Sequence, residues 1–118
     1  MKVRVFISGP YTQGDQIENM RAALDAAEQC MRVGLVPFVP HLSGFWHFVY
    51  PHSYEEWLDY DLEWLESCDI LWRLPGESKG ADQEVYWANL NEVVVCNSFE
   101  QVITEAKWLF GFHPLDRP

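Results

Sequence analysis

The chain has 118 residues, 48% hydrophobic and 15% aromatic, which excludes disorder and is enough to bury a core without disulfide or metal staples. Eighteen acidic against eight basic side chains leave a net charge of −10; no basic patch exists to displace counterions, so neither a nucleic acid duplex nor an anionic membrane surface is an expected partner. No apolar run approaches membrane-spanning length, and the N-terminal MKVRVFISG is too short and interrupted for a signal peptide, so a single cytoplasmic domain over residues 1–118 is expected.

The opening residues alternate Val3, Val5 and Ile7 with Arg4, Phe6 and Ser8, the period of a strand. SGPYTQGD follows as a loop with glycines at 9 and 14. Asp15 then caps a helix, with Glu18 placed to complete a capping box. Ile17, Met20, Leu24, Ala27 and Met31 give that helix an apolar stripe, and Gly34 ends it. LVPFVPH reads as a second short strand, its prolines Pro37 and Pro40 arguing for a sheet edge. HLSGFWHFVYPHS is expected to be a loop, and one this long inside a compact domain is usually functional.

A helix is predicted over Tyr54–Ser67, opened by a capping box of Ser53 and Glu56. With each residue about 100° from the last, Glu55, Glu56, Asp59, Glu63 and Glu66 gather on one solvated arc. Asp61 does not join them. It falls between Trp57 and Trp64 on the apolar face, and requires either a function or a buried partner such as Arg73 or a backbone amide.

The stretch Cys68–Ala88 reads as a buried strand (Ile70–Leu74), a Pro-Gly turn, a polar Gly-containing loop and a helix opening near Ala81. Ala81, Glu84, Val85 and Ala88 share one helix face. Glu84 is thus a carboxylate aimed inward among small apolar neighbours, against the plainer alternative of a Glu solvated at a helix N-terminus. VVVCN at 93–97 is another buried strand, Ser98 caps a last helix running to about Phe110, and GFHPLDRP is a tail. Cys30, Cys68 and Cys96 lie far apart in an odd count, which fits core filling in a reducing cytoplasm.

Strands alternating with helices predict an α/β fold: a small doubly wound, flavodoxin- or Rossmann-like parallel sheet of four to five strands with helices on both faces. Ligands of such sheets bind beyond the carboxyl ends of the strands, at the switch point. The Gly9–Gly14 and Gly76–Gly80 loops both leave such ends, so the geometry converges on one pocket. Two inward carboxylates, Asp61 and Glu84, suit glycosidic-bond chemistry, one attacking or stabilising a sugar carbon while the other holds a hydroxyl or manages a proton. Ser8, Thr12 and Ser78 supply hydroxyls, Gly9 and Gly80 bring backbone N–H groups close, and Tyr11, Trp46 and Phe48 can stack on a planar base. The Gly9–Gly14 spacing lacks the Lys-Ser/Thr of a P-loop. His41, His47 and His52 lack metal-ligand spacing, and no metal site or other cofactor is expected.

FISGPYT, DYDLEWLESCDIL and SKGADQEVYWA, in this order and spacing, resemble the nucleoside 2-deoxyribosyltransferase family and its relatives that hydrolyse nucleoside 5′-monophosphates. The resemblance runs from Val3 to about Val95. It implies that Glu84 is the nucleophile toward C1′ of the sugar and that Asp61 contacts the sugar or assists departure of the base. Ser78 stands where transferases tend to have Asp and monophosphate hydrolases Ser. The chain departs from the family pattern at Phe6, where a tyrosine hydroxyl helps position the nucleophile, and at Pro10, where the hydrolases carry a phosphate-binding Ser; Asp82 adds a negative charge near that site. The resemblance implies a nucleoside or nucleotide as ligand and a homodimer, for which the aromatics of residues 41–52 would suit the interface. Two other classes compete: a nucleotide-binding or sensing module of the same fold without chemistry, and an interaction protein using the aromatic loop.

Overall fold

The computed structural model describes residues 2–115; Met1 and the end of the expected tail, Asp116–Pro118, lie outside them. The elements in chain order are β1 (Arg4–Ser8), α1 (Gln16–Val33), β2 (Val36–Phe38), a 3-10 turn (Pro40–Leu42), α2 (Ser43–Val49), α3 (Tyr54–Glu66), β3 (Ile70–Arg73), α4 (Lys79–Leu90), β4 (Val94–Cys96) and α5 (Phe99–Phe110). The four strands form one parallel sheet in the order β2-β1-β3-β4. The chain therefore winds outward from β1 to β2, returns to β3 on the other side of β1, and ends at β4. This is the expected doubly wound α/β arrangement, with its switch point between β1 and β3. Val5 is in register with Ile70 and Ser8 with Arg73, so the carboxyl ends of the two central strands finish side by side.

The alternation of each strand divides the core in two. Val3, Val5, Ile7, Ile70 and Trp72 pack with Ala23, Ala26 and Cys30 of α1 and with Val102 and Ala106 of α5. Phe6 and Leu71 point the other way, into a second cluster with Leu65 of α3 and Ala88 of α4. Each fully buried side chain of this size contributes about 1.5–3 kcal/mol of apolar burial. Ser8, two residues beyond Phe6, emerges on the α3–α4 face. That parity places the site.

Several local expectations are corrected. Asp15 caps α1, accepting from the N–H groups of Ile17 and Glu18, but Glu18 lies 3.8 Å from Arg21 instead of closing the capping box. The buried face of α1 is the small-residue row Ala23, Ala26, Ala27 and Cys30, while Ile17, Leu24 and Met31 are exposed. The helix lies close over the sheet, and small side chains permit the approach. Residues 40–49, expected as loop, form the 3-10 turn and α2. β2 lies at a sheet edge as its prolines predict, and β4 lies at the other edge. α4 opens at Lys79, two residues earlier than expected, because the Ser78 hydroxyl caps it by accepting from Ala81 N–H at 3.1 Å. Phe112 of the tail is buried in the first cluster.

Candidate active site

The site begins where β1 ends. Ser8 has no exposed surface, and its hydroxyl donates to Glu84 Oε1 at 2.7 Å. Glu84 reaches it from α4, on the inward face with Ala81 and Ala88, and is 7% exposed. Burial pushes its carboxyl from an ordinary 4.5 up to about 8; the Ser8 hydroxyl opposes that shift, nearby Asp61 adds to it and Arg73 opposes it weakly. A carboxylate with one strong donor and little solvent is poised between charge states. That suits a group that reacts.

Asp61 approaches from α3. Its neighbours on the inward row are Leu58, Leu62 and Leu65 at helical spacing, whereas Trp64, expected to flank it, is 47% exposed. Asp61 Oδ1 is buried and has no hydrogen-bond partner among the described residues. Burial raises its carboxyl from 3.8 to about 7. The expected partner Arg73 is engaged elsewhere, donating to the Gly76 carbonyl at 2.9 Å and to Asp82 Oδ1 at 3.0 Å. This corrects two expectations together. Asp61 is not neutralised by Arg73, and Asp82 is turned toward Arg73 instead of adding charge to the pocket.

Both carboxyl groups line one cavity of about 450 Å³ at the carboxyl ends of β1 and β3. Gly9, Tyr11 and Thr12 form one wall, and Ser78 and Gly80 at the start of α4 form the opposite one. Gly9 is required by close approach: a Cβ there would sit 3.0 Å from Leu74 Cβ, where the β1 and β3 loops converge. Gly44 likewise lets α2 lie against Tyr11, whose hydroxyl a Cβ would overlap. Because the Ser78 oxygen accepts from Ala81 N–H, its own O–H is left to donate toward a ligand.

Of the residues picked from sequence, Gly9, Tyr11, Thr12, Asp61, Ser78, Gly80 and Glu84 come together on this lining, with Ser8 directly beneath Glu84. Trp46 does not line the cavity. Its indole packs edge-on against Trp57 at 5.1 Å and Tyr60 at 5.6 Å, fixing α2 to α3. Phe48 is 84% exposed and also stands away from the lining. Phe6, where the resemblance seeks a hydroxyl, stacks on Phe38 in the core, and the hydroxyl that donates to Glu84 is that of Ser8 on the same side of the strand.

The lining also holds residues that the sequence does not by itself assign to a pocket: His41, His47, His52, Tyr54, Trp57 and Lys79. His41 is 4% exposed and its Nε2 lies 2.9 Å from the Pro10 carbonyl, so it braces the β1 loop. Burial lowers its pKa. Burial also raises the Tyr54 phenol, with the negative charge of Glu84 adding to the effect. The density of His and aromatic residues over 41–57 is visible in the sequence, but His41 and Tyr54 find their partners Pro10 and Gln83 far away in the chain. Burial pushes the thiols of Cys30 and Cys68 up to about 12 and that of Cys96 up to about 11, leaving them protonated and inert. Among the described residues no group of His, Cys, Asp and Glu is arranged to hold a metal ion.

A family model described as a domain of unknown function, DUF7768, matches residues 3–98. The chain belongs to that family. Its matched span takes in β1 through β4 and every residue of the cavity lining. No curated protein matches the chain in sequence. Among solved structures it is similar to a 2-deoxyribosyltransferase from the psychrotolerant bacterium Bacillus psychrosaccharolyticus, a biocatalyst for nucleoside synthesis. The TM-score is 0.58 at 17% identity, over 79% of this chain and 69% of that one. At that identity the likeness shows a shared α/β fold.

Proposed function

We propose that this DUF7768 protein, acting as one domain over residues 1–118, cleaves or transfers the N-glycosidic bond of a nucleoside or nucleoside 5′-monophosphate of deoxyribose type. The observation that carries this reading is the buried Ser8–Glu84 hydrogen bond at the base of a cavity that a second unpaired carboxyl group, Asp61, also lines. The fold shared with a 2-deoxyribosyltransferase supports it.

In the first step a Glu84 carboxylate oxygen bonds to C1′ as the C1′–N bond breaks, and the electron pair of that bond leaves with the base. Asp61, which burial holds near pKa 7, supplies a proton to the departing base. In the second step water or the nitrogen of another base attacks C1′ and frees the Glu84 carboxylate, its own proton passing to Asp61. Ser8 keeps Glu84 oriented throughout. Ser78 and Lys79 stand at the N-terminus of α4 on the cavity lining, with Thr12 on the same lining, an arrangement suited to the 5′ end of the ligand, including a phosphate.

The sensing-module alternative rests on the missing hydroxyl at Phe6 and the charge of Asp82. Ser8 provides a hydroxyl and Arg73 pairs with Asp82, so neither feature supports that alternative. A homodimer belongs to the same proposal, with a second copy covering α2: that helix buries none of its residues, and Phe45 is 79% exposed. The three free thiols accord with a cytoplasmic location. The reading is tested by offering nucleosides, deoxynucleosides and their monophosphates, each with and without a second free base, and following base release by chromatography. Release without exchange makes the protein a hydrolase, and exchange makes it a transferase. Binding of intact ligand with no release would instead leave the sensing module.

A further inference from the structure

His47 lines the cavity, and two neighbouring N–H groups dictate which of its ring nitrogens carries the proton. Its Nδ1 accepts from Trp57 Nε1–H at 2.8 Å and from the His52 backbone N–H at 3.1 Å. A ring nitrogen that accepts two N–H groups carries no proton, so in the neutral ring the proton is on Nε2. The other tautomer would set an N–H against two N–H groups, and a flipped ring would set a C–H against them. Neither competes.

The two donors are themselves held in place. Trp57 packs edge-on against Trp46, and the His52 ring lies 3.2 Å from Glu56 Oε2, whose side chain closes the capping box of α3. His47, on the cavity lining, thus has Nε2–H as its free ring donor and no acceptor capacity left. A donor of fixed direction is satisfied by an oxo group on a heterocycle and opposed by an exocyclic amine, which is itself a donor.

We propose that His47 sets base choice, favouring oxo-substituted bases such as uracil, thymine, hypoxanthine and guanine over their amino counterparts at the edge it meets. This inference rests on the nucleoside reading above. It assigns the base-facing end of the cavity to α2 and the His47–Trp57 pair, and leaves the sugar to Asp61 and Glu84.

The test measures binding by calorimetry in the Glu84→Gln protein, which keeps ligands intact. Matched pairs are 2′-deoxyinosine against 2′-deoxyadenosine, and 2′-deoxyuridine against 2′-deoxycytidine. The oxo member should bind about tenfold or more tightly, and adding His47→Leu should bring each ratio to within about twofold. Nitrogen-15 histidine spectra of the full chain should show His47 protonated on Nε2, and Trp57→Phe, which keeps the ring and removes the N–H, should yield a tautomer mixture. An unchanged ratio in His47→Leu, or an Nδ1-protonated His47 in the wild type, overturns the inference while the nucleoside reading stands. Failure of all four nucleosides and of their 5′-monophosphates to bind overturns that reading and this one with it.

Discussion

At the scale of single residues, two carboxyl groups share one cavity and both are held above their ordinary range by burial, Glu84 at about 8 and Asp61 at about 7. For the proposed chemistry the productive state is the singly protonated pair with Glu84 ionised and Asp61 protonated, the minor of its two forms because Glu84 holds its proton more tightly than Asp61. The two apparent values belong to the pair. Activity therefore rises as the first proton leaves and falls as the second leaves, giving a bell-shaped kcat/KM with its maximum between about pH 7 and 8. Asp61→Asn should remove the alkaline limb and lower kcat by roughly 10²-fold or more, which a pH–rate profile would show. The same shifts predict a stability trend. Folded Glu84 holds its proton up to about 8 and unfolded Glu to about 4.5, so the folded state binds more protons in between. That contribution is complete below pH 4.5 and is lost as pH rises through about 8. The melting temperature of the wild type should therefore fall as pH rises from 5 to 9, and Glu84→Gln should flatten much of that slope.

At the scale of elements, the chain announces itself wherever capping and periodicity agree. The Ser53–Glu56 box fixes the start of α3, and Ser98 fixes that of α5. Glu84 is legible because it shares one helix face with Ala81 and Ala88, where an inward carboxylate must either find a donor or react. Ser78 shows the cost of a cap: Ser78→Ala leaves Ala81 N–H without its acceptor and should lower stability by about 1 kcal/mol. Thermal unfolding should shift down by roughly 4–8 °C. α2 is not legible. Its sequence, SGFWHFV, has no side-chain cap and no apolar–polar alternation of its own, and it is held by Trp46 wedged against Trp57 and Tyr60 of another helix. The inward row of α1 misleads for a related reason. Large apolar residues at Ile17, Leu24 and Met31 dominate the periodicity, yet close helix–sheet packing selects the alanines and Cys30. Likewise, the ring states of His41 and His47 depend on the Pro10 carbonyl and the Trp57 indole, contacts that no local pattern encodes.

At the scale of the whole molecule, the sheet order brings Ser8 beside Arg73, and the switch point between β1 and β3 then places α3 and α4 so that Asp61 and Glu84 line one cavity. The net charge of −10 is carried largely on outward arcs such as that of α3, away from this cavity. What the fold leaves uncovered is the outer side of α2, with Phe45 at 79% and Phe48 at 84% exposure. A second copy covering that side predicts a dimer by analytical ultracentrifugation and a monomer for the double variant Phe45→Ser, Phe48→Ser. A wild-type monomer at high concentration would contradict the dimer.

Glu84 as the group that attacks C1′ is put to the test by measuring free base released from deoxynucleosides and their monophosphates by wild type and Glu84→Gln together. The predicted result is release by the wild type and a rate lower by about 10³-fold or more in the variant, with folding intact by circular dichroism. Equal release by both proteins would contradict it.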